Sequence, residues 1–156
     1  MGTPEPVPCY PAPTIARWFV DWATTEDAGV SNLKLQKLLY YAQGHHLAEY
    51  EAPLFEDPVQ AWRSGPVVPA VFREFEGFGA AWVVLAEDDP FHWDAVDADT
   101  TRFLTKVWNT YGGIAGWKLR NMTQAEPAWQ EYVEQDEGNV EIPADVIAKY
   151  FHARRG

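Results

Sequence analysis

The chain has 156 residues, 47% of them hydrophobic and 22% charged, with a formal net charge of −11. That length suits one domain around one core, and that charge disfavours direct nucleic-acid binding, because a phosphate backbone recruits clusters of Lys and Arg. The single cysteine, Cys9, excludes an intrachain disulfide and any zinc site built on several thiolates.

Five prolines among residues 1–13 (Pro4, Pro6, Pro8, Pro11 and Pro13) predict a flexible, extended tail ahead of one helical domain over 14–156. Thr14 is placed to cap a first helix running to about Thr24, with Ile15, Trp18, Phe19 and Trp22 as its apolar stripe. Ser31 caps the strongest helix, roughly 32–50. There Leu35, Leu38, Leu39, Ala42 and His46 share one face, while Leu33, Tyr40, Gly44 and Leu47 share the opposite one. A helix apolar on two faces belongs at the centre of its domain, and Gly44 inside it signals a neighbour approaching closely. The flanks between those faces are polar, with Lys34, Lys37 and Tyr41 on one side and Gln36 and Gln43 on the other.

An extended run at Val59–Arg63 ends in the turn Ser64-Gly65-Pro66, and Pro69 opens a helix carrying Val71, Phe72 and Phe75. Trp82–Leu85 reads as a short strand able to pair with the earlier run. Asp97 or Asp99 caps a helix to about Tyr111, a short helix lies near 116–121, and Thr123-x-x-Glu126 reads as a capping box for a helix to about Gln135. Pro143 opens the last helix. The predicted class is therefore mainly α: a compact single-domain bundle around the central helix, with at most one small hairpin (about 59–63 with 82–85). Aromatic residues reach 15%, with eight tryptophans, which fits an aromatic-rich core or, alternatively, rings set on a surface that binds a partner. Acidic residues cluster at Glu87, Asp88, Asp89, Asp94, Asp97 and Asp99. They cluster again from Glu126 to Asp145, where Glu131, Glu134, Asp136, Glu137 and Glu141 also fall, a pattern able to steer a basic partner.

Motifs for chemistry are missing. The two serines, Ser31 and Ser64, lie outside G-x-S-x-G. His45 and His46 are adjacent on a helix, so their side chains diverge by about 100° and do not chelate one metal. Asp97-Ala98-Asp99-Thr100-Thr101 matches the D-x-D-x-T pattern of aspartate-nucleophile phosphatases, but no buried strand precedes it, and helix capping explains it better. No phosphate-cradling glycine loop is present. The sequence thus points to a non-enzyme with no cofactor and no metal. No apolar run reaches the ~20 residues of a membrane span, and no leader opens the chain, so a cytoplasmic protein without membrane insertion is expected.

The block running from Val30-Ser31-Asn32 through Lys34-Leu35-Gln36-Lys37 to Ala42-Gln43-Gly44 is followed by Pro53-Leu54-Phe55 and by Ala61-Trp62-Arg63-Ser64-Gly65-Pro66-Val67-Val68-Pro69. Together these blocks resemble the Panacea-domain family, the SocA-like antitoxins, also described as phage-associated proteins. Tyr111-Gly112, Leu119, Met122-Thr123 and Tyr150-Phe151 extend the likeness over nearly the whole chain after the tail. It departs from the family pattern where a histidine usually follows the threonine: here Gln124 does, and Ala128 separates Pro127 from Trp129. The resemblance implies an antitoxin that neutralises a cognate protein toxin by direct binding. The alternative is an adaptor or phage regulatory module that engages a ClpXP-type protease without occluding a toxin. Partner contacts are expected on the flanks of the central helix, at Lys34, Gln36, Lys37, Tyr41 and Gln43, and then at Trp62, Arg63, Gly65 and Pro66.

Overall fold

Ser31 fixes where the central element begins. Its hydroxyl accepts from the Lys34 amide and starts α2, Asn32–Tyr50, where capping and the apolar spacing placed it. The computed structural model describes residues 7–135 and 139–155; Pro4 and Pro6 of the proline-rich stretch, and Asp136 and Glu137 of the second acidic run, lie outside the described residues. α1, Ala12–Thr25, begins two residues before Thr14. Pro11 and Pro13 flank its start, where their fixed φ suits a first turn, so the predicted tail reaches into a helix. Tyr10 is tied down as well, its amide donating to the Leu54 carbonyl at 2.8 Å.

The mainly-α class holds, but the hairpin forms from other partners. β1, Gln60–Trp62, pairs antiparallel with β2, Gly65–Val67, across a two-residue loop, and on its other edge with β3, Val140–Glu141. Trp82 makes one isolated bridge to Ser31 and no strand. Gly65 takes φ +107°, which closes the chain within two residues and puts β2 on one edge of β1, and β3 takes the other edge, so β1 has none left for Trp82–Leu85.

The remaining helices are α3, Pro69–Phe75; α4, Ala98–Tyr111; α5, Gly116–Gln124; α6, Pro127–Gln130; and α7, Ala144–Arg155. Asp97 caps α4 by accepting from the Thr100 amide at 2.8 Å, as the capping reading required. The Thr123–Glu126 capping box does not form. Thr123 lies within α5, its hydroxyl donating to the Arg120 carbonyl, and Glu126 turns its carboxylate into the core. The helix expected to reach Gln135 is correspondingly only four residues long.

α2 is covered from several directions by α1, α4, α5, α7 and β2. α7 approaches closely at Gly44, where a Cβ would sit 2.3 Å from the Phe151 ring. The close neighbour that Gly44 signalled is thus Phe151, itself fully buried.

Candidate functional site

A helix covered by several neighbours must satisfy its buried polar residues within the fold, and Asn32, Gln36, Lys37 and Gln43 of α2 do so largely on neighbouring backbone. Gln36 accepts from the Val68 amide and donates to Asn32, which in turn donates to the Phe72 carbonyl. Gln43 accepts from the Leu54 and Phe55 amides and donates to the Phe55 carbonyl. Lys37 donates to the Pro66 carbonyl at 2.8 Å. The 54–55 loop, β2 and the first turns of α3 are thereby pinned to one helix, most of the buried polar atoms being matched with backbone groups.

Lys37 is fully buried, and among the described residues no carboxylate is bonded to it. Burial, with a smaller contribution from Arg120, lowers its pKa to about 7. Gly65 makes room for it, since a Cβ there would lie 2.8 Å from Lys37 Cε. Nearby, Tyr40 and Tyr41 donate to the two carboxylate oxygens of Glu126 at 2.8 and 2.7 Å. Burial raises the Glu126 pKa, while the two tyrosine bonds and Arg154, 3.6 Å away, lower it. Both tyrosine hydroxyls are pushed above their ordinary value, by burial first and then by Glu126, so they remain donors.

Gln36, Lys37, Tyr41 and Gln43 are therefore not an exposed flank, which corrects the surface predicted from the sequence. Spacing showed them off the apolar faces but not that other elements cover those flanks. Gly65 and Pro66 are buried with them. Lys34 is half-buried, donating to the Gly112 carbonyl and lying 5.7 Å over the Trp108 ring. Gln36 and Lys37 line a cavity of about 350 Å³ and Gln43 one of about 190 Å³, whereas Trp62 and Arg63 face a larger opening. They line a groove of about 940 Å³ with Trp129, Val133 and Glu134. Trp129 is held there by donating its indole N–H to the Trp62 carbonyl at 2.7 Å.

The accessible surface next to this groove was not anticipated. Gln124, at the position where a histidine was expected, donates to the Arg63 carbonyl at 2.7 Å and so joins α5 to the hairpin tip. Along α5, Trp117, Arg120, Asn121 and Gln124 follow helical spacing, and Trp117 is 60% exposed. A signal for this face was present in the sequence: residues 100–125 contain no acid in a chain that has 23. Two other exposed tryptophans belong to different surroundings. Trp82 lies against Gly29, and Trp93 packs edge-on to the stacked Trp18–Trp22 pair.

Groups with reactive potential are spread apart. His45 bonds the Tyr111 hydroxyl and His46 the Ala52 carbonyl. Cys9 is exposed, and desolvation with nearby Glu56 and Asp57 raises its thiol pKa, which disfavours the nucleophilic thiolate. Among the described residues no three His, Cys, Asp or Glu side chains converge as metal ligands would, and no helix is long and apolar enough to cross a membrane. What the accessible face offers is stacking and ion pairing.

The model of one protein family, antitoxin SocA-like with a Panacea domain, matches residues 35–130. The chain is also similar to antitoxin SocA of Caulobacter vibrioides (strain NA1000 / CB15N), 40% identical over 73 residues. That alignment covers 47% of this chain and 39% of the Caulobacter protein. No solved structure matches.

Proposed function

Because the chain belongs to the SocA-like Panacea-domain antitoxin family, we propose that it is an antitoxin that neutralises a cognate protein toxin by direct, non-catalytic binding. The family match carries the reading, since it spans most of α2, the hairpin with Trp62 and Arg63, α5 and Trp129, while Val133 and Glu134 of the groove follow it. In this reading the buried polar residues of α2 hold loops in register, and the toxin meets Trp62, Arg63 and their surroundings. The work of such a protein is occlusion, so it needs a complementary surface and no acid–base couple.

Co-expression with the product of the adjacent reading frame tests this. That product alone should stop growth, growth should return when this chain is present, and the two should co-purify. A harmless neighbour, or one that kills regardless, refutes the reading. Growth rescued only in cells that retain a ClpXP-type protease, with toxin levels falling, would replace occlusion by delivery.

A further inference from the structure

We propose that the outer face of α5, with the hairpin tip at Arg63, docks an acidic segment of the protein partner. This deepens the antitoxin reading and rests on it. The chain carries 23 acids against 12 Lys and Arg, so its overall field favours basic partners. This face is the exception.

Lys118 and Arg63 are exposed and Arg120 half-exposed, and none of the three forms an ion pair among the described residues. Elsewhere Arg17 meets Glu74 and Asp89, Arg102 meets Asp99, and Arg154 meets Glu126. Exposed Arg73, Lys106 and Lys149 also form no ion pair among the described residues, but α3, α4 and α7, which carry them, each contain an acid, whereas α5 contains none. The nearest acid in sequence after α5, Glu126, is buried and bonded to two tyrosines, so it does not neutralise this surface. Trp117 adds a broad exposed ring to the same helix. Lys34 lies beneath the start of that helix, where a Cβ at Gly116 would come within 3.3 Å of Lys34 Cβ.

Screening makes this local pattern decisive. Over a Debye length of about 8–10 Å, a docking segment responds to the charges it touches and little to remote ones. Unpaired cations beside a tryptophan complement a run of Asp or Glu that carries an apolar residue for the ring. Glu134 lines the same groove as Arg63, so the acidic segment is expected on the α5 side of the hairpin tip and not across the groove.

Anisotropy of labelled poly-L-glutamate is the direct probe, run on the full chain, on the Arg63→Glu/Lys118→Glu double variant and on a charge-matched control, Lys106→Glu/Lys149→Glu. The parent should bind polyglutamate in a salt-sensitive way. The first variant should lose affinity by about tenfold or more, whereas the control should stay within about twofold. Equal losses in the two variants, preference for poly-L-lysine, or tighter binding of a single-stranded oligonucleotide would overturn the proposal. So would a dimer that the first variant dissolves, which would make a second copy the occupant. Growth rescue separates this proposal from its premise. No rescue by the parent defeats the antitoxin reading, whereas full rescue by Arg63→Glu/Lys118→Glu defeats only the docking face.

Discussion

α2 and α5 lie against each other and use polar residues in opposite ways. On α2, Asn32, Gln36, Lys37 and Gln43 are buried and spent on backbone carbonyls and amides. On α5, Lys118 and Asn121 are exposed, Arg120 and Gln124 half-exposed, and only Leu119 and Thr123 are buried. A distinctive motif therefore need not be a binding surface. The polar residues of α2 hold the 54–55 loop, β2 and α3, whereas on α5 Gln124 ties to the hairpin tip and Trp117 and Lys118 face outward.

Glu126 is where the comparison breaks first. Replacing it with Ala strands the Tyr40 and Tyr41 hydroxyls in the core and should cost about 3–5 kcal/mol in chemical denaturation. Glu126→Gln, which keeps an acceptor, should cost markedly less. If Glu126→Ala unfolds with an unchanged midpoint, the carboxylate is not what organises the two tyrosines.

Much of the fold was legible because it follows from short-range rules. Ser31 and Asp97 cap where their side chains reach an amide three residues on, and Gly44 marks the seat of Phe151. The hairpin partner was hidden because Trp62–Gly65 pairing depends on a left-handed glycine that also has to clear Lys37, a contact between distant residues. The Thr123–Glu126 pattern misled for a related reason: a core position facing two tyrosine hydroxyls outweighed the weaker gain of a capping box. Site residues were least legible. Helical spacing tells which residues share a flank of α2 but not that β2, α5 and the 53–55 loop cover both flanks.

Lys37 gives a second way to sharpen the comparison, through pH. Its amine titrates near 7 in the fold and near 10.4 in an unfolded chain, so between those values the unfolded state holds the extra proton. Stability therefore rises with pH across that window, by at most about 1.4 kcal/mol per unit from this group. Below pH 7 the burial penalty is fully present, and above about 10.4 it is gone. Lys37→Met keeps the length and removes the titration, so the parent-minus-variant difference in unfolding free energy should climb between pH 7 and 9.5. Parallel profiles would mean that the amine is solvated in a way its burial does not suggest.

The smallest stability effect is expected on α5, and that is what makes it informative. Trp117 is 60% exposed, so Trp117→Ser should shift unfolding by no more than about 0.5 kcal/mol. A ring that sets α5 against α2 would instead cost more than about 1 kcal/mol, because large core side chains are expensive to delete. If the ring is an anchor for a partner, the same substitution should weaken binding to the adjacent-frame product by about tenfold or more while the melting curve stays in place. Unchanged affinity with unchanged stability would remove Trp117 from the docking face, leaving Arg63 and Lys118 to act by charge alone. The contrast between the helices would then concern electrostatics and not aromatic anchoring.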